Sequence, residues 1–233
     1  MIHVADGPNL RTVTLSRPER RNALTRDGLD DLADAVAGAD RPVVHLGGEG
    51  SAFCAGADLD AVADLDRESA VAFAERGQRT VEAIEDADSV VVAGIDGAAR
   101  GGGVELALAC DVRVATPAAT FAEPGVKLGI FGAWGGTARL PDVVGRGDAL
   151  DLALSGRTVD AERARRMGLV SRVVDDPVAV AREIADNDPA ALRVVKERVR
   201  DDDAVDEQAA READEFGDLV AENGPAIAAR RER

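Results

Sequence analysis

The sequence of 233 residues has little aromatic surface and almost no lysine. Aromatic residues make up 3% of it, tyrosine is absent, and Lys127 and Lys196 are the only lysines. The core must therefore be built from aliphatic side chains, and few rings are present on which nucleic-acid bases could stack. The formal net charge of −16 also repels phosphate backbones. We therefore expect no nucleic-acid partner.

Cysteine is also scarce, and long apolar runs are missing. Cys54 and Cys110 are the only cysteines, and neither belongs to a CxxC pair or has a histidine beside it. This pattern predicts neither a disulfide framework nor a metal site. No apolar run reaches membrane-spanning length, and residues 1–6 lack the pattern of a signal peptide. These absences predict a soluble, cytoplasmic protein that does not bind membranes.

The charged residues are unusual in kind. The chain has 44 acidic residues against 28 basic ones, and all but two of the basic residues are arginine. Such a composition is typical of the cytoplasmic proteins of halophiles. In molar salt the Debye length falls to about 3 Å, which screens the repulsion within an acidic surface. We therefore expect a halophilic protein whose stability depends on salt.

Hydrophobic periodicity predicts one α/β core over residues 1–185 and a helical region over residues 186–233. No segment rich in proline, glycine or serine separates further domains. The predicted strands cover residues 10–16, 43–46, 90–95, 111–115 and 169–174. The predicted helices cover residues 25–37, 69–84, 149–154, 161–167, 178–186, 189–200 and 205–222, and a further helix is expected after Gly103.

The run Gly101-Gly102-Gly103-Val104-Glu105 lies between a predicted strand and this further helix. Glycine lets the backbone approach a ligand closely, so peptide N–H groups can reach its atoms. If Gly102 is the N-cap, Glu105 occupies the N3 position, where the exposed amides favour a carboxylate whether or not it is catalytic. Both the catalytic and the structural interpretation of Glu105 are therefore open at this point.

A second loop, Ser51-Ala52-Phe53-Cys54-Ala55-Gly56-Ala57-Asp58-Leu59, has the same strand–loop–helix context. If the two preceding strands are neighbours, one N–H from each loop can converge on a single oxygen. The carbonyl of a thioester fits such a site. Two tight turns built from small residues for packing are the structural alternative.

Five segments in this order make the chain resemble the enoyl-CoA hydratase/isomerase family, or crotonase superfamily. They are Arg17-Pro18-Glu19-Arg20-Arg21-Asn22-Ala23-Leu24, Ala55-Gly56-Ala57-Asp58-Leu59, Gly101-Gly102-Gly103-Val104-Glu105, Gly135-Gly136-Thr137-Ala138-Arg139-Leu140-Pro141 and Gly168-Leu169-Val170-Ser171-Arg172-Val173-Val174.

The resemblance implies the crotonase-like α/β fold, a ββα superhelix or spiral, followed by C-terminal helices that join subunits. It also implies homotrimers, or hexamers formed as dimers of trimers. The substrate would be an acyl-CoA thioester, with no separate cofactor and no metal, because coenzyme A is part of the substrate.

By the same resemblance, the backbone N–H groups of Ala57 and Gly102 form an oxyanion hole. Glu105 matches the first of two catalytic glutamates. The family's second glutamate falls at Gly125, and Glu123, two residues earlier, could substitute for it because residues two apart share a face of an extended segment. The residues expected to contact the substrate or coenzyme A are Arg21, Ala23, Ala55, Asp58, Leu59, Gly101, Gly125 and Trp134. For the Trp134 ring, packing in the core is the structural alternative.

The missing second glutamate leaves several activities open. Hydration of a 2-enoyl-CoA in acyl-CoA degradation is the leading expectation, although it normally divides proton transfer between two groups. Double-bond isomerisation can use a single carboxylate, and decarboxylation can rely on the oxyanion hole alone. A non-catalytic protein that only binds acyl-CoA is the alternative from a different functional class.

The acidic composition yields a first prediction. Transfer from molar KCl to dilute buffer should lower the thermal midpoint of unfolding, because unscreened carboxylates then repel one another across the surface. Thermal melts monitored by circular dichroism in a KCl series test this. A midpoint that is unchanged or higher in dilute buffer would contradict the halophilic interpretation.

Overall fold

The computed structural model describes residues 1–230, and the chain divides into two compact units. The first unit is Met1–Asp186, and the second begins at Asn187. Within the described part, no helix is both long enough and apolar enough to cross a lipid bilayer.

The strands of the first unit belong to two sheets. They are β1 (Ile2–Asp6), β2 (Leu10–Leu15), β3 (Val43–Gly48), β4 (Ala52–Cys54), β5 (Val90–Ile95), β6 (Ala98–Arg100), β7 (Val112–Ala115), β8 (Thr120–Ala122), β9 (Val159–Asp160) and β10 (Arg172–Val173).

The helices of the first unit lie between and after these strands. They are α1 (Arg26–Ala37), α2 (Leu59–Ala63), α3 (Arg67–Glu85), α4 (Gly102–Ala109), α5 (Gly136–Ser155), α6 (Ala161–Arg166) and α7 (Pro177–Ala185). Two 3-10 turns, Pro18–Arg20 and Pro124–Leu128, complete the unit.

The two sheets are built by a repeating ββα path. The larger sheet has the order β1-β2-β3-β5-β7-β10, and the smaller has the order β4-β6-β8-β9. Three successive pairs, β3–β4, β5–β6 and β7–β8, therefore each give one strand to each sheet in the same order. Pairing within these two series is parallel, so the chain winds as a spiral. The ββα spiral predicted for the core is confirmed.

Burial explains why the central strands were readable from the sequence. All six residues of β5 are buried, as are the first five of β3, because helices and the second sheet cover both faces. Strand β1 was not predicted, since it is an edge strand that pairs antiparallel with β2 and exposes four of its five residues. Such a strand carries little hydrophobic signal.

Helix α1 follows its prediction closely. Leu29, Leu32 and Val36 are buried at a helical spacing, and Thr25 is the N-cap, whose side chain accepts a hydrogen bond from the N–H of Gly28.

Helix α5 differs from its prediction. It begins at Gly136 rather than at residue 149, and it changes direction at Gly145, which has a φ of 78°.

The strand predicted over residues 169–174 is mostly irregular chain. Only β10 pairs with β7, over two residues, while Leu169 and Val170 are buried without belonging to a strand. Burial alone explains the apolar run here, so a continuous apolar segment was mistaken for an extended strand.

The second unit contains helices α8 (Pro189–Arg200) and α9 (Val205–Arg230). Arg198 pairs with Asp201 at 2.9 Å and with Glu215 at 3.2 Å, which joins α8, the connecting turn and α9. Large apolar side chains remain exposed on these helices, namely Val195, Val199, Val205, Phe216, Val220 and Ile227.

His45 is a buried imidazole in β3, at the centre of the larger sheet. Neither of its ring nitrogens has a hydrogen-bond partner within the described residues. Burial lowers the pKa of His45 to about 4, with Asp176 opposing the shift and Arg182 adding to it. The folded protein therefore holds this imidazole in its neutral form, whereas the unfolded chain protonates it near the ordinary pKa of 6.5.

This difference predicts a pH-dependent stability. Because the unfolded state binds the proton first, the free energy of unfolding should fall as pH drops from about 6.5 towards 4, by about 2 kcal/mol at pH 5. His45→Leu should remove that part of the slope. Urea unfolding at constant KCl measures it, with His3→Leu as the control because His3 is exposed on β1. Equal slopes for His45→Leu and wild type would contradict the assignment.

Candidate active site

The two predicted loops come together at one edge of the smaller sheet. Strands β4 and β6 are parallel neighbours, so the chain leaves both at the same edge. Gly56 has a φ of 84°, and a Cβ there would lie 2.7 Å from the carbonyl oxygen of Arg100 and 2.9 Å from the nitrogen of Gly102. The two backbones therefore approach each other more closely than any side chain would allow.

The amides of Ala57 and Gly102 lack a backbone acceptor within the part of the chain that the structure describes. The neighbouring N–H groups of Ala55, Asp58 and Gly101 donate to the backbone carbonyls of Arg21, Leu24 and Ala122. Within residues 1–230, neither the N–H of Ala57 nor that of Gly102 does so. Both residues line the same cavity, of about 410 Å³. Two free donors at the wall of one cavity are what an oxyanion requires.

Glu105 projects from α4 into the same cavity and is 1% exposed. Its Oε1 accepts hydrogen bonds from the N–H of Trp134 at 2.9 Å and of Gly136 at 2.7 Å. The N-cap of α4 is Gly101, not Gly102, so the expected N3 position of Glu105 is wrong by one residue. The carboxylate is held by a different loop and does not cap its own helix.

Two opposing effects set the protonation of Glu105. Burial raises its pKa, while the N–H groups of Gly136 and Trp134 and the charge of Arg139 lower it. Arg139 is fixed in turn by an ion pair with Glu85. A buried carboxyl whose pKa lies above its ordinary value can take up a proton and release it again, which suits acid–base chemistry.

The glycine-rich stretch before α5 shapes the pocket around this carboxylate. A Cβ at Gly132 or Gly136 would lie within 3 Å of the Glu105 side chain. The Trp134 ring covers Gly77 and Gly102, and its centroid lies 6.1 Å from that of Phe73. Trp134 thus lines the cavity with its ring while its backbone N–H holds Glu105.

The structure separates the expected substrate contacts into two groups. Ala55, Leu59, Gly101, Gly125 and Trp134 line the cavity. Arg21, Ala23 and Asp58 do not, and the first two belong to the loop that supports the Ala55–Ala57 segment.

Asp58 has a structural environment. Its carboxylate is buried, lies 2.6 Å from Nη1 of Arg17, and accepts the N–H of Asp60 at the start of α2. Burial works to raise the pKa of Asp58, but hydrogen bonds from Arg17 and Arg20 outweigh it and lower the value. This carboxylate therefore binds its arginine partners and does not line the cavity.

Asn22 positions the first loop, a role that the sequence did not reveal. It is fully buried with a φ of 57°, its Nδ2 donates to the carbonyls of Glu49 and Ala52, and its Oδ1 accepts the N–H of Arg17. The left-handed backbone suits asparagine. Further cavity residues were also missed, because they are apolar residues without a motif in α2, α3, the turn between these helices and the loop before α5, namely Val62, Leu65, Ala70, Phe73, Ile130 and Phe131.

Glu123 lies in a second cavity, of about 320 Å³, which Glu105 and Gly125 also line. It does not line the cavity of the two free amides. Burial, together with the charge of Glu105, raises the pKa of Glu123 to about 8.

An α/β spiral with two free amides beside a buried carboxylate defines an enzyme that can stabilise an oxyanion and move a proton. The comparisons agree with this class. A family model described as enoyl-CoA hydratase/isomerase matches residues 7–223. The chain therefore belongs to the enoyl-CoA hydratase/isomerase family.

Individual relatives cover most of the chain. A crotonyl-CoA hydratase of Syntrophomonas wolfei is 36% identical, over 89% of this chain and 85% of its own length. A short-chain-enoyl-CoA hydratase of Clostridium acetobutylicum is 33% identical, over 80% of this chain and 76% of its own length. The crystal structure of an enoyl-CoA hydratase from Bacillus anthracis aligns with a TM-score of 0.92 and 31% identity, covering 100% of this chain and 96% of its own.

The close approach of the loops generates a prediction. Gly56→Ala should destabilise the protein by about 3 kcal/mol or more, because the new methyl group meets two backbone atoms. Gly129→Ala is the matched control, since Gly129 also has a positive φ, of 75°, but has no atom within 4 Å of its Cβ position. It should cost only about 1–2 kcal/mol of strain. Equal losses in urea unfolding would show that strain, not contact, explains Gly56.

Proposed function

We propose that this protein is an enoyl-CoA hydratase, which adds water to a 2-enoyl-CoA to give a 3-hydroxyacyl-CoA in fatty-acid or related acyl-CoA degradation. The observation that carries the proposal is that the free amides of Ala57 and Gly102 share a cavity with the buried carboxylate of Glu105. The names of the related hydratases support the same substrate class.

The chemistry follows from this arrangement. The thioester oxygen accepts hydrogen bonds from Ala57 and Gly102, which stabilise the negative charge that forms on it when the enolate develops. One such donor is worth about 3–4 kcal/mol of the barrier. Glu105 takes a proton from water and later returns a proton to the α-carbon. Ala55, Leu59, Gly101, Gly125 and Trp134 contact the acyl-CoA.

Isomerisation is the second candidate, favoured by the absence of a carboxylate at position 125. A Cβ on Gly125 would lie 3.0 Å from Cα of Phe131 and 3.1 Å from the carbonyl oxygen of Ile130, so a side chain there requires the neighbouring loop to move. A single carboxylate that removes and returns a proton suffices for double-bond migration. Decarboxylation of an acyl-CoA and acyl-CoA binding without catalysis are the two remaining candidate functions.

Paired assays in molar KCl distinguish these functions. Hydration of crotonyl-CoA removes the ultraviolet band of the conjugated enoyl thioester, whereas isomerisation of a 3-enoyl-CoA creates that band. We expect loss of the band with crotonyl-CoA and no loss with the Glu105→Gln variant. A wild-type protein that binds coenzyme A thioesters but changes neither substrate would favour the binding function.

The oxyanion hole leads to a sharper prediction. Ala57→Pro removes the N–H itself and should lower kcat for hydration by about 10²–10³. Ala57→Ser keeps the N–H and should retain most of the activity, so it controls for changes at this position. Far-ultraviolet circular dichroism checks the fold of both variants. If a folded Ala57→Pro protein turned over crotonyl-CoA at the wild-type rate, this amide would have no role.

We also propose that the protein works as a homotrimer or a hexamer in a salt-rich cytoplasm. The exposed apolar side chains of α8 and α9, such as Val195, Val199 and Phe216, supply an apolar surface that suits contact with other copies of the chain. The acidic, arginine-rich composition supports the salt-rich setting.

A further inference from the structure

Glu105 lines the second cavity as well as the first. Helix α5 and the 3-10 turn Pro124–Leu128 supply most of its apolar lining, and Glu105 and Glu123 supply two carboxyl groups. Gly125, Phe131 and Gly132 line both cavities, as Glu105 does. The wall between the cavities therefore includes Gly125, which contributes no side chain.

Glu123 has an unsatisfied atom beside this cavity. Its Oε1 is fully buried and has no hydrogen-bond partner within the described residues. A buried carboxyl oxygen without a partner is costly, so it calls for a hydrogen-bonding ligand. A cavity of about 320 Å³ lined by two carboxyl groups has both the room and the polar atoms to bind water there.

Burial raises the pKa of both carboxyl groups, but only Glu105 has N–H donors that favour its charged form. Glu105 faces Glu123 from α4, Arg146 lines the cavity from α5, and Lys127 of the 3-10 turn donates to the carbonyl of Gly156. With a pKa of about 8, Glu123 is mostly protonated at neutral pH. Glu105, held by two N–H groups and near Arg139, is the better site for the negative charge.

We propose that Glu123 is the second catalytic group of this enzyme, a carboxyl group that holds the attacking water together with Glu105. It does so from the second cavity, which shares the lining residues Glu105 and Gly125 with the first, and not from the position where the family has its second glutamate. This inference rests on the proposed hydratase function.

The proposed reaction transfers a single proton, from the water to Glu105 and then to C2. Glu105 takes a proton from the water while the water oxygen bonds to C3, and the C2=C3 electron pair moves towards the thioester, whose oxygen becomes negative at Ala57 and Gly102. Glu105 then gives the proton to C2, and the thioester carbonyl forms again. Glu123 keeps its own proton throughout and uses its O–H and C=O groups to orient the water.

Neutrality of Glu123 makes the tests specific. Glu123→Gln preserves a neutral group that donates and accepts hydrogen bonds, so kcat/KM at pH 7 should stay within about threefold of wild type. Glu123→Leu removes the polar contacts and should lose about 100-fold. Wild-type kcat/KM should fall above about pH 8, where Glu123 ionises, and this decline should be absent in Glu123→Gln.

Thermal stability gives a second readout. Glu123 must hold a proton in the folded state that the unfolded chain releases near its ordinary pKa of 4.5. Glu123→Gln should therefore melt at a higher temperature than wild type at pH 7, and the difference should vanish towards pH 4.5. Glu162→Gln, at an exposed glutamate of α6, is the control for removing one negative charge.

The outcomes separate the two proposals. Wild-type activity that depends on Glu105 but is retained in Glu123→Leu would overturn the role of Glu123 and leave the hydratase function standing. An inactive Glu123→Gln at pH 7 would also overturn it, because the group would then act as an ionised base. If wild type did not hydrate crotonyl-CoA, the hydratase function itself would fall, and this catalytic role with it.

Discussion

The contact between two backbones, at Gly56 and Gly102, is the constraint on which the rest of the site depends. It is possible only without side chains, since a Cβ at Gly56 would strike the opposite strand end, and one at Gly103 would overlap the carbonyl oxygen of Cys54. The parallel pairing of β4 and β6 brings the two loops to the same edge. The fold thereby exposes two amides to one cavity, using backbone groups and no side chain.

A second set of backbone groups explains why a carboxylate can lie in the core. Every residue of α4 is buried, and Glu105 is its one ionisable side chain. An ionised carboxylate buried without partners would cost several kcal/mol. The N–H groups of Trp134 and Gly136 offset part of this cost with charge-assisted hydrogen bonds. The chemistry therefore requires the glycines of the loop before α5, because larger residues there would push the amides away from the carboxylate.

Much of this arrangement was readable from the sequence, and the exceptions have physical causes. Strand β5 was predicted within its observed bounds because both of its faces are buried, whereas the exposed strand β1 left no pattern. The family resemblance of the motif loops implied roles for Ala57, Gly102 and Glu105, which the structure brings to one cavity. The partners of Glu105 lie 29 and 31 residues away and donate through backbone atoms, so no side-chain pattern could reveal them. The ion pairs of Asp58 were not expected either, because its partners Arg17 and Arg20 lie 41 and 38 residues away in the sequence.

The expectation for Glu123 rested on an extended backbone, but β8 ends at Ala122 and a 3-10 turn begins at Pro124. Glu123 and Gly125 nevertheless line one cavity. A side chain at position 125 would therefore affect the pKa of Glu123. A glutamate at position 125 would add a third carboxyl group to a small apolar space that already contains Glu105 and Glu123. Like charges so close cannot all ionise, and each would raise the pKa values of the others. Glycine at 125 and glutamate at 123 are therefore consistent with each other: the site holds two carboxyl groups, and only one of them needs to be charged.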